Sequence, residues 1–257
     1  MLGESVGYTL NGSREVRELF DGKFFDFPKP VSLIETFVKQ GTKNTSDIIL
    51  DFFAGSSTTA HATLKLNSDD GLNRKYILVQ LPEPTDQTSE AYKAGYTNIC
   101  DIGKERIRRA GKKIKEETGA TIDYGFRVYR LADSNMQEVY YRPNDYAQSS
   151  LDLFSDNIKP DRTPDDLVTQ VMLDWGLPLS LRIEQMTVSG KQVFKVAENS
   201  LYACFDKGID ETFAREIAMD KPLRVVFRDS SFKDDTAKTN VKQLLKQLSP
   251  ETEMKVI

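Results

Sequence analysis

Apolar residues recur along this chain in two rhythms, and the rhythms lay out its architecture. Leu33, Ile34, Phe37 and Val38 follow Pro30 at helical spacing, so residues 30–40 read as a helix. Proline suits the first helical position, where its missing N–H costs nothing. Ile48-Ile49-Leu50 is instead a short unbroken apolar run ended by Asp51, the pattern of a parallel strand buried on both faces. Gly55-Ser56-Ser57-Thr58-Thr59 turns the chain, with Ser57 as the expected cap of a helix from Thr58 to about Asn67. Tyr76-Ile77-Leu78-Val79 is a second strand of the buried type. Strand–helix–strand with short connections is the unit of a doubly wound α/β sheet. A short helix around residues 13–20, a long one from about Thr97 to Thr118 and a third strand over residues 125–131 complete this half.

Residues 142–164 mix Pro, Asn, Asp and Ser and read as a linker. The expected organisation is a first domain over residues 1–150, a linker at 151–162 and an α+β domain over 163–257. Thr163-Pro164-Asp165-Asp166 opens a helix that runs through Trp175 and is stopped by Gly176 and Pro178. Residues 181–187, 192–197 and 200–205 alternate as antiparallel strands, the first two joined by a turn at Ser189-Gly190. A helix at 210–218, a strand at 223–227, a helix at 236–248 and a last strand at 254–257 follow. The chain shows no internal repeat and no low-complexity tract.

Composition narrows the classes without choosing among them. The 257 residues are 39% hydrophobic and 29% charged, ordinary for a globular protein. No apolar run approaches the roughly 18 residues that suggest a membrane span, and residues 1–12 lack the pattern of a secretory signal. A cytoplasmic location without membrane attachment is the expectation. Cys100, Cys204 and the lone His61 are too few and too scattered for a zinc site. The net charge of −4 argues against a chain that grips DNA strongly by itself.

The stretch that carries chemistry is Asp51 through Thr59, where a strand passes into a helix. Glycine there lets the backbone approach a ligand closely. The helix start offers N–H groups and the positive end of a dipole, suited to a carboxylate or phosphate. Asp51, at the carboxyl end of the strand, can accept from an ammonium or hydroxyl. A ligand bearing both an amine and a carboxylate fits this pairing, although the same local pattern occurs in α/β proteins that bind nothing there. The segment is not a P-loop, since no Gly-Lys-Ser/Thr follows and Lys65 is too far along the helix. It also lacks the G-x-G-x-x-G dinucleotide pattern.

Asp51-Phe52-Phe53-Ala54-Gly55-Ser56-Ser57-Thr58-Thr59 resembles motif I of S-adenosylmethionine-dependent amino-methyltransferases of DNA. Phe27-Pro28-Lys29-Pro30 through Leu33 resembles their motif X. Motif X ahead of motif I is the permuted order of the beta class. Residues 95–109 and the stretch Arg224 to Phe232 with Lys238-Thr239-Asn240 are similar to segments of type III restriction–modification modification subunits. The resemblance runs along nearly the whole chain.

It implies a partial Rossmann-like methyltransferase sheet with a C-terminal α+β domain, and S-adenosylmethionine as cofactor. Asp51 matches the acid near the methionine amine. Phe53, Ala54, Gly55, Ser56, Ser57 and Thr58 match the turn that holds the methionine end, with Ser57 where many relatives carry glycine. Phe27, Lys29 and Pro30 match motif X, which lines the same end. An acid in relatives contacts the ribose from the end of the second strand; here that position is Gln80, with Glu83 three residues on.

One family feature is absent. Motif IV, Asp-Pro-Pro-Tyr or a close variant, accepts from the target adenine's amino group and stacks on the flipped base; this sequence contains no Pro-Pro pair. Motif IV precedes motif X in the beta order, and only 26 residues precede Phe27. The resemblance thus implies the C-terminal portion of a DNA adenine-N6 methyltransferase, truncated at its N-terminus and inactive alone. Its expected partners are duplex DNA through the complete enzyme, a second modification subunit and the restriction subunit. The alternative is a non-catalytic oligomerisation remnant.

Other residues read more plainly. Lys104, Arg106, Arg108, Arg109, Lys112, Lys113 and Lys115 spread around one helix and read as a solvated face, with DNA phosphate contact as the rival reading. His61 reads as a satisfied helix residue. Trp175 and the tyrosines at 140, 141 and 146 read as core or interface, and the two cysteines as buried inert thiols.

Overall fold

In the computed structural model, which describes residues 9–137 and 157–257, the chain divides into two units, residues 1–129 and 130–257. The expected linker and the tyrosines at 140, 141 and 146 lie wholly or largely outside the described residues.

The first unit runs α1 (Thr9–Phe20), α2 (Val31–Gly41), β1 (Ile48–Asp51), α3 (Thr58–Asp70), β2 (Lys75–Leu78), the single turn α4 (Glu90–Lys93) and α5 (Ile99–Thr118). Pro30 stands one residue earlier than expected, at the N-cap of α2, in extended conformation. β1 and β2 pair in parallel, Ile49 opposite Tyr76 and Asp51 opposite Leu78. Helix α3 packs against both α2 and α5. It is therefore buried on nearly every side, with Ala60, Ala62, Thr63 and Leu66 fully enclosed. Tyr76 and Leu78 face a core of Ala60, Leu64, Ile107 and Ile114. Burial pushes the Tyr76 hydroxyl up to about 12.

Two expectations fail here. β1 is not covered on both faces: Ile48 is 59% exposed and Leu50 50%, and Ile77 beside them on β2 is 51% exposed. The alternate positions meet α3 and α5, so the pair of strands has one packed face and one open apolar face. Second, residues 125–131 form no strand among the described residues. Phe126 packs on the α3–α5 core beneath the Arg108 guanidinium, but Val128 and Leu131 stand exposed. Alternation of side chains does not by itself supply the ladder partner that a strand needs.

The second unit is a five-stranded sheet in sequence order: β3 (Ile183–Val188), β4 (Lys191–Val196), β5 (Leu201–Cys204), β6 (Arg224–Phe227) and β7 (Glu253–Val256). β3, β4 and β5 are antiparallel as expected, and β5, β6 and β7 are parallel. Ser189 and Gly190 both adopt positive φ, the two-residue turn that matches the twist of a hairpin. Helices α7 (Glu211–Met219) and α8 (Asp235–Leu248) cover one face through Phe213, Ile217, Val241 and Leu245. Helix α6 (Pro164–Asp174) covers the other through Leu167, Val168, Val171 and Met172. Thr163 and Asp166 cap α6 reciprocally, as the Thr-Pro-Asp-Asp sequence foretells. Residues before 138 join this unit: Met136 pairs with Ile158, and the Asn135 amide donates to the Asp166 carbonyl. Trp175 packs on the α6 side with Arg224 and Lys255 over its ring. Cys204 is buried, its thiol pushed up to about 11 by desolvation. Cys100 is only half-buried, donating to the Gln80 carbonyl. Among the described residues no helix is long and apolar enough to cross a membrane.

Candidate functional site

β1 ends at Asp51, and the chain then turns through residues 52–57 into α3. The turn is held from inside. The Asp51 carboxylate accepts from the Phe53 N–H at 3.0 Å and from the Thr59 hydroxyl at 2.6 Å. A carboxylate has about four acceptor directions, so room remains for an ammonium. Ala54 N–H donates to the Val79 carbonyl at 3.2 Å, and Ser57 N–H to the Ala54 carbonyl at 2.7 Å. Gly55 takes positive φ, and its N–H donates to Gln80 Oε1 at 2.7 Å. Gln80 therefore braces the turn from the end of β2, while its amide nitrogen donates to the Leu81 carbonyl. Glu83 is exposed, and its backbone carbonyl accepts from the Ile99 N–H at the start of α5.

Ser57 sits at the N-cap position of α3 but does not cap it. Its φ of 61° and ψ of 38° are left-handed, and its side chain makes no capping bond. A side chain in that region is held against its preference by about 1 kcal/mol. The Ser57 hydroxyl instead lies against Gly103 of α5, where an added Cβ would come within 2.5 Å of it. Glycine at 103 is what lets α5 run this close to the turn.

Motif X lies on the same side of the unit. The Lys29 carbonyl accepts from the Thr58 hydroxyl at 3.4 Å, and Pro28 and Pro30 are buried. Phe27 holds a positive φ and is 78% exposed; Phe53 is 90% exposed. The hollow beside Phe27, about 160 Å³, is lined by residues of α1 and of the 22–27 loop and by none of the turn.

Behind the turn lies Arg106, which its basic neighbours lead one to expect on a solvated face. Arg106 is 0% exposed and not part of a solvated face. Its Nη1 donates to the Ser56 hydroxyl at 2.6 Å and to the Thr58 hydroxyl at 2.8 Å. Its Nε and Nη2 are buried without hydrogen-bond partners. Burial pulls the guanidinium down to about 10, opposed by the charge of Glu15. The sequence held the signal: Arg106 falls on the stripe Ile102, Gly103, Ile107, Ala110, Ile114 that α5 buries. The rest of the basic run is as expected, with Lys104, Arg108, Arg109, Lys112 and Lys113 each within 4 Å of a carboxylate on the same helix. His61 departs from the satisfied helix residue expected: Nδ1 is buried without a hydrogen-bond partner. Desolvation, with Arg106 and Lys65 nearby, pushes its pKa down to about 3.

Residues 8–112, which contain motif X, the turn and most of α5, match a family model described as DNA methylase. Over 236 residues the chain is 33% identical to the EcoPI Mod subunit of a type III restriction–modification enzyme from Escherichia phage P1, taking 87% of this chain and 35% of that subunit. It is 39% identical over 135 residues to the StyLTI Mod subunit of Salmonella typhimurium, covering 52% of this chain and 21% of that one. It is 42% identical over 104 residues to the type II methyltransferase M.KpnI of Klebsiella pneumoniae, 40% of this chain and 25% of that enzyme. The chain thus spans about a third or less of the curated relatives it matches. The segment around the turn is similar to DNA methylases.

Proposed function

We propose that this chain supplies the S-adenosylmethionine-binding half of a cytoplasmic DNA adenine-N6 methyltransferase of a type III restriction–modification system. The observation that carries the reading is the turn itself: an acid at a strand end, a glycine at positive φ and a helix start within a segment that matches DNA methylases. Asp51 would take the methionine ammonium. The turn Phe53-Ala54-Gly55-Ser56-Ser57-Thr58 and the positive end of α3 would take the carboxylate. Phe27, Lys29 and Pro30 would line the same end, with the exposed Phe27 and Phe53 rings covered by ligand or neighbouring chain. Gln80, just beyond β2, and Glu83, three residues on, would contact the ribose. The bound cofactor supplies an electrophilic methyl group; the residues here bind and orient it.

The chain lacks a Pro-Pro pair and so the motif that would accept from the adenine amino group. On this reading it methylates nothing alone. Duplex DNA, a second modification subunit and the restriction subunit are partners of the complete enzyme. The open face of β1 and β2 supports an incomplete sheet that another polypeptide segment finishes. Asp51→Ala should weaken S-adenosylmethionine binding by ~1–3 kcal/mol, the scale of a lost charged hydrogen bond. Equal affinity of variant and parent in equilibrium dialysis would overturn the assignment. Labelled methyl should not pass from the cofactor to mixed-sequence duplex DNA; robust turnover would show that another acceptor replaces the missing motif.

The complete second unit favours one further reading, a non-catalytic assembly module acting through residues 130–257. Light scattering on that fragment separates the two. A self-associating fragment from a chain that binds no cofactor would favour assembly alone.

A further inference from the structure

We infer that Arg106 and Glu15 are positioning residues of the cofactor turn, so that α1, ahead of motif X, is a working part of the site. The inference rests on reading the turn as the methionine pocket. Two hydroxyls of that turn, Ser56 and Thr58, converge on one guanidinium nitrogen at 2.6 and 2.8 Å. Both residues are almost fully buried, and their hydroxyls lie 3.4 Å apart. Thr58 also reaches the Lys29 carbonyl of motif X. On the far side of the guanidinium, Glu15 Oε2 stands 4.0 Å from Arg106 Nη2 and accepts the Val31 N–H at 2.9 Å. Val31 opens α2, whose N-cap Pro30 offers no capping side chain. One carboxylate thus caps the motif X helix and neutralises the cation that pins motif I.

The contacts around this pair are tight. A Cβ on Gly12 of α1 would overlap the Pro28 carbonyl, and one on Gly103 would press on Ser57. Four segments, α1, motif X, the turn and α5, therefore meet around the fully buried Arg106 and the partly exposed Glu15. A buried arginine with unpartnered Nε is an expensive way to fill space, and an apolar side chain would be cheaper. What the arginine adds is a fixed position for two turn hydroxyls and a positive charge behind the place where a ligand carboxylate would sit.

The test uses the full 257-residue chain with Arg106→Met, Arg106→Lys and Glu15→Gln. Amide hydrogen exchange, read by mass spectrometry without ligand, reports the pin. Ligand-observed NMR with S-adenosylhomocysteine, which reads weak binding, reports the site. Arg106→Met should speed exchange at residues 55–59 by about tenfold or more, leaving residues 183–257 unchanged as an internal control. It should weaken S-adenosylhomocysteine by about tenfold or more. Arg106→Lys should recover part of both losses. Glu15→Gln, which keeps an acceptor for Val31 but removes the charge, should fall between parent and Arg106→Met. Should Arg106→Met unfold the first unit, the lysine and glutamine variants carry the test. Parent-like exchange and affinity in those variants would overturn the inference. A parent chain that leaves S-adenosylhomocysteine signals unperturbed would overturn the ligand assignment, and the exchange data would still decide the pin.

Discussion

The two sheets of this chain are built from similar residues and end in opposite conditions. In the second unit, five strands carry helices on both faces, and Val193, Val196, Leu201 and Val226 are fully enclosed. In the first, two parallel strands carry helices on one face, and Ile48, Leu50 and Ile77 face outward. The apolar runs of β1 in the first sheet and of β5 and β6 in the second are each written as though both faces would be buried. Only the second unit, among the described residues, contains everything that buries them. The first holds the chemistry-bearing turn on a sheet with an open face, and the second is complete without any comparable turn. The contrast teaches that the apolar pattern of a strand reports the assembly it is meant for, which can be larger than the chain at hand.

The sharpest way to break the comparison is to put a charge at matched places in the two sheets. Val226→Asp, in the centre of the complete sheet, should cost ~3–5 kcal/mol, the scale of an uncompensated buried charge, and should unfold the second unit in a urea titration. Leu50→Lys, on the open face, should change the unfolding free energy of the first unit, read from the same titration, by less than ~0.5 kcal/mol and should raise the solubility of the chain. A large loss from Leu50→Lys would mean that something within the chain covers that face.

Acid should separate the units next. His61 titrates near 6.5 when unfolded and is pushed down to about 3 in the fold. Below pH 6.5 the unfolded state binds the proton that the folded state refuses, so stability falls as pH falls. Between pH 7 and 5.5 the first unit should lose about 1 kcal/mol. His61→Leu should remove that loss, measured by urea titrations at the two pH values, while the second unit's transition stays put. An unchanged pH slope in the variant would remove His61 as its source.

A comparable effect of opposite sign is expected at Ser57. Its left-handed φ favours glycine, so Ser57→Gly should stabilise the first unit by about 1 kcal/mol. Destabilisation instead would mean that the serine side chain contributes a contact worth more than the strain it carries.

Much of this was legible before the structure. In the second unit, periodicity, the Thr163 capping box and the Ser189-Gly190 turn located each α-helix and strand of the described residues, because each local pattern agrees with a core present in the same chain; the 3-10 turn at Asp229–Ser231 was not foreseen. In the first unit the turn from Asp51 to Thr58 and both strands were legible for the same local reasons. The covering of β1 was not, since two-sided burial is a property of neighbours and no periodicity states whether they are present. The alternation over residues 125–131 misled in the same way, for it describes side chains and not the ladder partner a strand needs. Ser57 looked like a cap because serine caps helices; nothing in its residue type announces a left-handed backbone. Arg106 was hidden by company: six other cations share its helix, and reading them as one basic run overlooked that this one lies on the buried stripe.

The central claim is that residues 51–58 form the methionine-end wall of an S-adenosylmethionine site, and an amide NMR titration of the labelled chain with S-adenosylhomocysteine tests it most directly. The account predicts weak, saturable shifts confined to residues 27–31, 51–59 and 80–83, abolished by Asp51→Ala, with residues 183–257 unmoved. Saturable shifts centred in residues 183–257, or none anywhere at millimolar ligand, would contradict it.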